Sequence, residues 1–519
     1  MIPMKRNLVR IFASLTFLIA PALRAQSLWN AGTGDWFVPG NWTPSGVPTT
    51  AINAQINNAG TAQITISGAV ANSLVLGSGM GQSGTLQIAG SGVLTLNDPV
   101  TGSLLVGDFG AGTVTVSAGG KLNSGGSYIA TDPGSTGTFT VTGNGSVWSA
   151  GSIDVGSSGN GTLNVLLGGK VVATSNMTVG NDNGSVGHVD VSGTGSEIDV
   201  GGLTIGSPFG SSGFVTVENG GKLTSGGIVL GSSAFSSGTL TVTGANSVLL
   251  MSSAGGPLFV ANQGTGTLNV LAGAMVDASG SIVSVANSGG ATSSGTVLVD
   301  GAASTFKTGN FLIGRGGATL SNGAFMSSVL STPGPVATFN GGGSVMVTGT
   351  GATWSIGGAY TFVALQMLAG TTATPNSLKI LNGGSVVVNP YSGSGTDVAA
   401  NADFRVGGTS NVLIDGVGSS LTTPYGFYTG YSSNVNSVTV SGGAKLNTGF
   451  AVIGLNSGST STVTITGAGS TWTISDTLHA VSDATQGLII GEGSSGIGTL
   501  TLTQGGTLTI PNSNAGVSL

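Results

Sequence analysis

The chain has 519 residues, with 96 glycines, no cysteine, and 12 basic against 18 acidic side chains for a formal net charge of −6. Charged residues make up only 6% and form neither a basic patch nor a run of like charges, so the chain lacks the electrostatic footprint of a nucleic-acid partner. The glycines follow no triplet period and sit among 39% hydrophobic residues, which excludes collagen and a disordered chain; the absent cysteine excludes a disulfide framework.

Residues 1–25 read as a secretory signal peptide. Lys5, Arg6 and Arg10 form a positive region, and Ile11 to Ala20 an apolar stretch too short to anchor in a bilayer. Ala20, Ala22 and Ala25 supply the small residues for cleavage after Ala22 or Ala25. Export is therefore expected. No later segment is apolar enough for long enough to cross a membrane as a helix, so the mature chain is expected to face water. Residues 26–60 differ from the rest. Trp29, Trp36 and Trp42 fall here, followed by Pro44 and Pro48. A first coil has no upstream neighbour, and bulky aromatics with prolines would cover its open edge as a cap. An aromatic carbohydrate-binding face is the alternative for the same residues.

Along residues 61–519 two phrases alternate. The first is T/S/D-G-x-x-S-x followed by a large apolar residue. Its glycine recurs as Gly143, Gly193, Gly244, Gly301, Gly349, Gly416 and Gly467. The second, apolar-x-x-G-G-K/S/T, stands at Gly119 to Lys121, Gly168 to Lys170, Gly220 to Lys222, Gly383 to Ser385 and Gly505 to Thr507. The pair of phrases returns about every 50 residues, so one structural unit is roughly 25 residues. Such a unit is too short to bury its own apolar face, and must stack on its neighbours into a rod.

Within each unit three short runs alternate with period two. Ile153-Asp154-Val155, Met177-Thr178-Val179 and Phe404-Arg405-Val406 keep apolar residues in the outer places and accept Asp, Thr or Arg between them. That is the mark of a strand with one buried face. Thr239 to Thr243 alternates likewise, as does the shorter run after the G-G turn, such as Lys222-Leu223-Thr224. Three strands and glycine turns close one coil, and helical periodicity is absent. The fold class predicted is all-β: a single-stranded parallel β-helix, or solenoid, right-handed as parallel crossovers are, with about 25 residues per coil. Roughly 17 coils at about 4.8 Å each give a rod of about 80 Å.

Five residues past each landmark glycine stands a large apolar side chain: Trp148, Ile198, Leu249, Phe306, Trp354, Leu421 and Trp472. A solvent-facing position would not be so uniform. These seven are predicted to stack in the core in every second coil, with Leu122, Val171 and Leu223 in the intervening ones. A tryptophan-lined sugar groove is the alternative. The repeat breaks at 327–336, 369–376, 389–403 and 475–486, which read as insertions at turns and as the places for any local recognition.

Chemistry is sparse. The acids Asp108, Asp132, Asp154, Asp182, Asp190, Asp199 and Asp277 stand singly, and Asp300 and Asp415 replace threonine before a landmark glycine, where they would bond nearby backbone. Asp190, Asp199, His188 and Glu197 form the densest polar group, at routine outward positions. The two histidines are far apart, no series of calcium nonapeptides occurs, and no glycine-rich phosphate loop opens a helix. No catalytic, cofactor or metal site is expected.

The phrases G-T-L-T-V-T-G-A-N-S-V, E-N-G-G-K-L-T-S-G-G-I-V-L-G and T-G-A-G-S-T-W resemble the repeat shared by passengers of type V secretion (autotransporters) and by PEP-CTERM-associated exported bacterial proteins. The resemblance covers most of residues 80–510, and the opening W-N-A-G-T-G-D-W is similar to the start of such passengers. It implies a surface adhesin or matrix protein on a long β-helix, a group in which some passengers are enzymes. With the scattered acids above, the expected function is an exported, non-catalytic rod at the cell surface or outside the cell, adhesin-like, with surface glycans or other cells as candidate partners. Polysaccharide binding or degradation on a β-helix is the alternative. Two features depart from the pattern. No series of amphipathic strands follows about residue 400 as a translocator barrel would require, and no terminal PEP motif is present. The chain stops part-way through a coil, so either it is truncated, with a translocator encoded elsewhere, or export takes another route.

Overall fold

A computed structural model describes residues 25–98, 103–208, 210–252, 256–286, 293–330, 335–358, 363–368, 370–389, 403–432, 434–475, 486–492, 494–511 and 516–518. The signal-peptide reading of residues 1–25 lies almost wholly outside them. The chain forms a parallel β-solenoid of about 17 turns with about 26 residues per turn. Among the described residues the one helical element is a 3-10 turn, Pro39–Asn41.

Each coil contributes to three ladders. The long ladder stacks seven-residue strands such as Ala111–Ser117, Thr136–Thr142 and Asn160–Leu166 in parallel register. A first short ladder stacks Val93–Leu96, Lys121–Asn123 and Val147–Ala150. A second stacks Leu104–Val106, Gly126–Ile129 and Ser152–Val155. In Lys170–Val179, Glu197–Ile205, Ser420–Thr429 and Lys445–Ile453 the two short strands run on as one. The period-two pattern sets the faces. In Ser237–Thr243, Gly238, Leu240 and Val242 point inward while Ser237, Thr239, Thr241 and Thr243 point out. One core runs from Trp29 to Leu488 without interruption.

The two alternating phrases interlock. In the T-G-x-x-S coil the buried serine hydroxyl accepts the N–H of the G-G turn one coil below: Gly119 N to Ser146 Oγ is 3.0 Å, Gly168 N to Ser196 Oγ 3.0 Å and Gly220 N to Ser247 Oγ 3.0 Å. Ser146 and Ser196 donate in turn to their own strand, to Thr142 O and Ser192 O at 2.8 Å. Upward, the landmark glycine donates its N–H to the end of the next long strand, Gly143 N to Leu166 O at 3.1 Å and Gly193 N to Glu218 O at 3.2 Å. Positive φ turns that N–H outward along the rod; Gly143 has φ 87° and Gly193 φ 95°. Ala352 stands where the serine would be in the Gly349 copy. Ser196→Ala is expected to cost about 1–3 kcal/mol, because it leaves the buried Gly168 N–H without its acceptor. Equilibrium denaturation checks this.

A second class of glycine serves space instead. Gly112, Gly137, Gly161, Gly187, Gly213 and Gly238 form one inward column of the long ladder. A Cβ at Gly161 would lie 2.1 Å from Gly156 N, and one at Gly187 would lie 2.3 Å from Val155 O. Toward the C-terminal end the same column turns polar, as Asn376, Ser410, Asn436 and Ser461, all buried.

Near the N-terminus, Gln26–Trp29 pairs in parallel with Asn53–Ile56 and antiparallel with Trp42–Thr43. Trp29, Trp36 and Trp42 are 3%, 0% and 1% exposed, and meet edge to face with centroids 5.0 and 4.7 Å apart. Buried rings offer no face to a carbohydrate, which overturns that alternative for them. The ladders already include Asn53–Ile56, within the tryptophan-rich segment, and Asn58–Ile64, which begins in it and runs past its end. Of the four breaks in the repeat, 331–334, 369, 390–402 and 476–485 lie outside the described residues. Ser327 to Leu330 is no insertion but strand, paired with Ser355 to Gly358.

Candidate functional site

The seven large apolar residues named from spacing lie on the first short ladder, in one register column with smaller neighbours. In order the column reads Leu122, Trp148, Val171, Ile198, Leu223, Leu249, Val276, Phe306, Met326, Trp354, Val386, Leu421, Leu446, Trp472 and Leu508. All seven are 0% exposed, so no sugar groove can be lined by them. Each tryptophan of this column also finds a hydroxyl one coil below, which spares its buried indole N–H the cost of going unpartnered. Trp148 Nε1 donates to Ser124 Oγ at 2.9 Å, Trp354 Nε1 to Ser328 Oγ at 3.1 Å, and Trp472 Nε1 to Thr448 Oγ1 at 3.1 Å. Inward rings from the other ladders complete the layers, with Phe139 stacked on Trp148 at 3.8 Å.

The charged side chains divide between faces. Glu197 stands in register between Lys170 and Lys222 and bridges both, at 3.0 and 2.8 Å. The Lys222 hydrogen bond, chiefly, holds its carboxyl below the usual range. Glu197 and Asp199 therefore belong to the first short ladder, while His188 and Asp190 belong to the long one. The group that looked dense in sequence is two groups. Asp300 and Asp415 also differ from expectation. They accept hydrogen bonds from side chains of the next coil, from Ser321 and Ser441, both at 2.6 Å, instead of from nearby backbone.

Burial, the largest influence, pushes Asp154 up to about 6; hydrogen bonds from Thr178 and Asn181 oppose the shift and the Asp182 charge adds to it. The folded chain keeps this proton to about pH 6, whereas the unfolded chain releases it near 3.8, so stability falls as pH rises between those values and is level above. Asp154→Asn is expected to stabilise the protein by about 1–3 kcal/mol at pH 8 and to leave it unchanged at pH 3.5. Thermal melts at the two pH values check this.

Among the described residues a compact polar cluster gathers around Asp403–Val406, on the second short ladder. Arg405 donates from Nη2 to Asp403 Oδ2 at 3.0 Å and from Nη1 to the Tyr431 hydroxyl at 2.9 Å. Its guanidinium lies 4.8 Å from the centre of the Tyr431 ring and 5.9 Å from that of Tyr428. Phe450 meets Tyr428 edge to face. Gly426 leaves the room: a Cβ there would lie 2.5 Å from the Tyr428 ring and 2.8 Å from Asp403 Oδ1. Burial pushes Asp403 up to about 6 despite Arg405, and pushes Tyr428 well above the usual phenol range. An Asp near 6 has the right acidity for proton transfer. This one has a side chain only 4% exposed and already bonded to Arg405, so it holds the strand after the break instead of facing a substrate. Among the described residues no three His, Cys, Asp or Glu side chains are placed to hold a metal ion. No helix among them is long and apolar enough to cross a membrane.

No family model matches the chain, and no curated protein matches it. Among solved structures it is similar to a TibC-catalyzed hyper-glycosylated TibA55-350 fragment, with 16% identity and a TM-score of 0.34, over 70% of this chain and 92% of that one. A likeness of that size transfers no property to this chain.

Proposed function

We propose that this protein is an exported, non-catalytic β-helical rod of the cell surface or extracellular matrix, adhesin-like, of the kind carried as passengers by type V secretion. The supporting observation is the pairing of one unbroken core with outward rows of threonine, serine and asparagine on the long ladder. A rod of this construction spends its sequence on length and on repeated polar surface. The charged residue at Glu197 is occupied by its lysines, and the Asp403–Arg405 pair is closed off, which accords with a binding or spacing role. The signal-like residues 1–25 accord with export.

The experiment is surface protease shaving of intact producing cells, with the chain followed by an antibody to the mature part. Release of the rod fragment and enrichment in the outer fraction support the reading. Retention of an unprocessed chain in the cytoplasm would end it.

A further inference from the structure

One column on the outer face of the long ladder is threonine over most of its length: Thr113, Thr138 and Thr162 on one side, Thr239, Thr267 and Thr296 on the other. Between them, in two successive coils, stand His188 and Phe214. Their rings stack at 4.9 Å with 12° between planes. Neither ring is needed by the core, since Val189 and Val215 fill the inward places beside them, and Phe214 remains 37% exposed. In the neighbouring column Asp190 stands between Asn164 and Thr216, and in the next one Glu218 stands between Ser192 and Thr243. Together with Asn164 these residues line an open cavity of about 260 Å³.

The lining is chemically mixed. The stacked rings form an apolar wall that rises above the short threonines. Asp190 and Glu218 supply acceptors only, Thr216 and Asn164 both donors and acceptors. One Asp190 oxygen, Oδ1, is shielded from solvent without a hydrogen-bond partner among the described residues. No lysine or arginine lines the cavity among those residues. Such a surface suits a ligand with a hydrogen-bond donor on one edge and a hydrocarbon flank on the other, and repels an anion.

We propose that His188, Asp190, Phe214, Thr216 and Glu218 form a binding site for one uncharged hexose unit of a glycan. The inference rests on the adhesin-like reading above and gives it a ligand class. Hydroxyl groups of the sugar donate to Asp190 and Glu218, and its carbon-bound hydrogens lie against Phe214 and His188. Uronates and sialylated glycans are disfavoured by the two carboxylates.

Saturation-transfer NMR and titration calorimetry of the purified chain, with neutral galactose-, glucose- and mannose-terminated oligosaccharides, test the site; oligouronate and sialylated oligosaccharides are the comparison. At least one neutral class is expected to bind, and the anionic ones not. Phe214→Ala and Asp190→Asn are each expected to weaken that binding tenfold or more, while Thr138→Val, on the same face at a distance, leaves it unchanged. Melting curves of the variants show that the fold is kept. Absence of binding by every neutral probe, or equal binding by Phe214→Ala, would overturn the site. Adhesion of the parent rod to cells is measured in parallel. A parent rod that adheres yet binds no neutral probe refutes the site and leaves the surface-rod reading standing, whereas a chain that never leaves the cytoplasm refutes the latter alone.

Discussion

Trp354→Ala is expected to lower stability by about 3–5 kcal/mol, among the largest losses available to one substitution in this protein. The side chain is 0% exposed, in register with Met326 below and Val386 above. Phe311 and Phe339 approach it at 5.9 and 6.4 Å between ring centres. A solenoid coil is one layer thick, so the vacated space can be filled only by the two adjoining coils. The loss also removes one of two donors to Ser328 Oγ, which accepts from Trp354 and, at 2.9 Å, from Thr308. Trp354→Phe should therefore fall between parent and alanine variant, since it keeps most of the volume and loses the indole donor. Chemical denaturation gives the magnitude. Hydrogen exchange gives the place, with protection falling first in the coils on either side. A parent-like Trp354→Ala protein would show that the column does not carry the packing of these coils.

The second large effect separates two glycines that look alike in sequence. Gly161→Ala is expected to cost about 3 kcal/mol or more, because the new methyl would sit 2.1 Å from Gly156 N and 2.8 Å from Ile129 O, backbone that cannot step aside without breaking the ladder. Gly143→Ala places its methyl no closer than 3.7 Å to any neighbour and meets only the strain of φ 87°, a cost of about 1–2 kcal/mol. Melting midpoints of the two variants, measured side by side, decide it; a larger loss at Gly143 would reverse the assignment of space to one class and dihedral to the other.

The coil is legible in the sequence because period-two runs and glycine turns act locally, within a few residues of one another. Trp148 and its six counterparts share a column for a related reason, each standing a fixed five residues after its turn. Contacts between coils are harder to read. Their spacing drifts, linking Asn164 to Thr140 across 24 residues but Asn382 to Thr348 across 34. Proximity in sequence thus grouped His188 and Asp190 with Glu197 and Asp199, when their nearest chemistry is Phe214 and Glu218 in the next coil. The serine of T-G-x-x-S was visible as a letter, but its role as acceptor for the coil below depends on the register. The same holds for the hydroxyl beneath each core tryptophan, and for the rings around Arg405.

The interlock of serine with the doubled-glycine turn bears on how such a rod can change length. A single coil copied or lost would set like against like, placing two serine coils or two doubled-glycine coils in succession and leaving turn amides unmatched at the junction. Only an even number of coils can be gained or deleted without penalty. Growth by duplication is then quantised, and natural length variants of this molecule should differ by whole pairs.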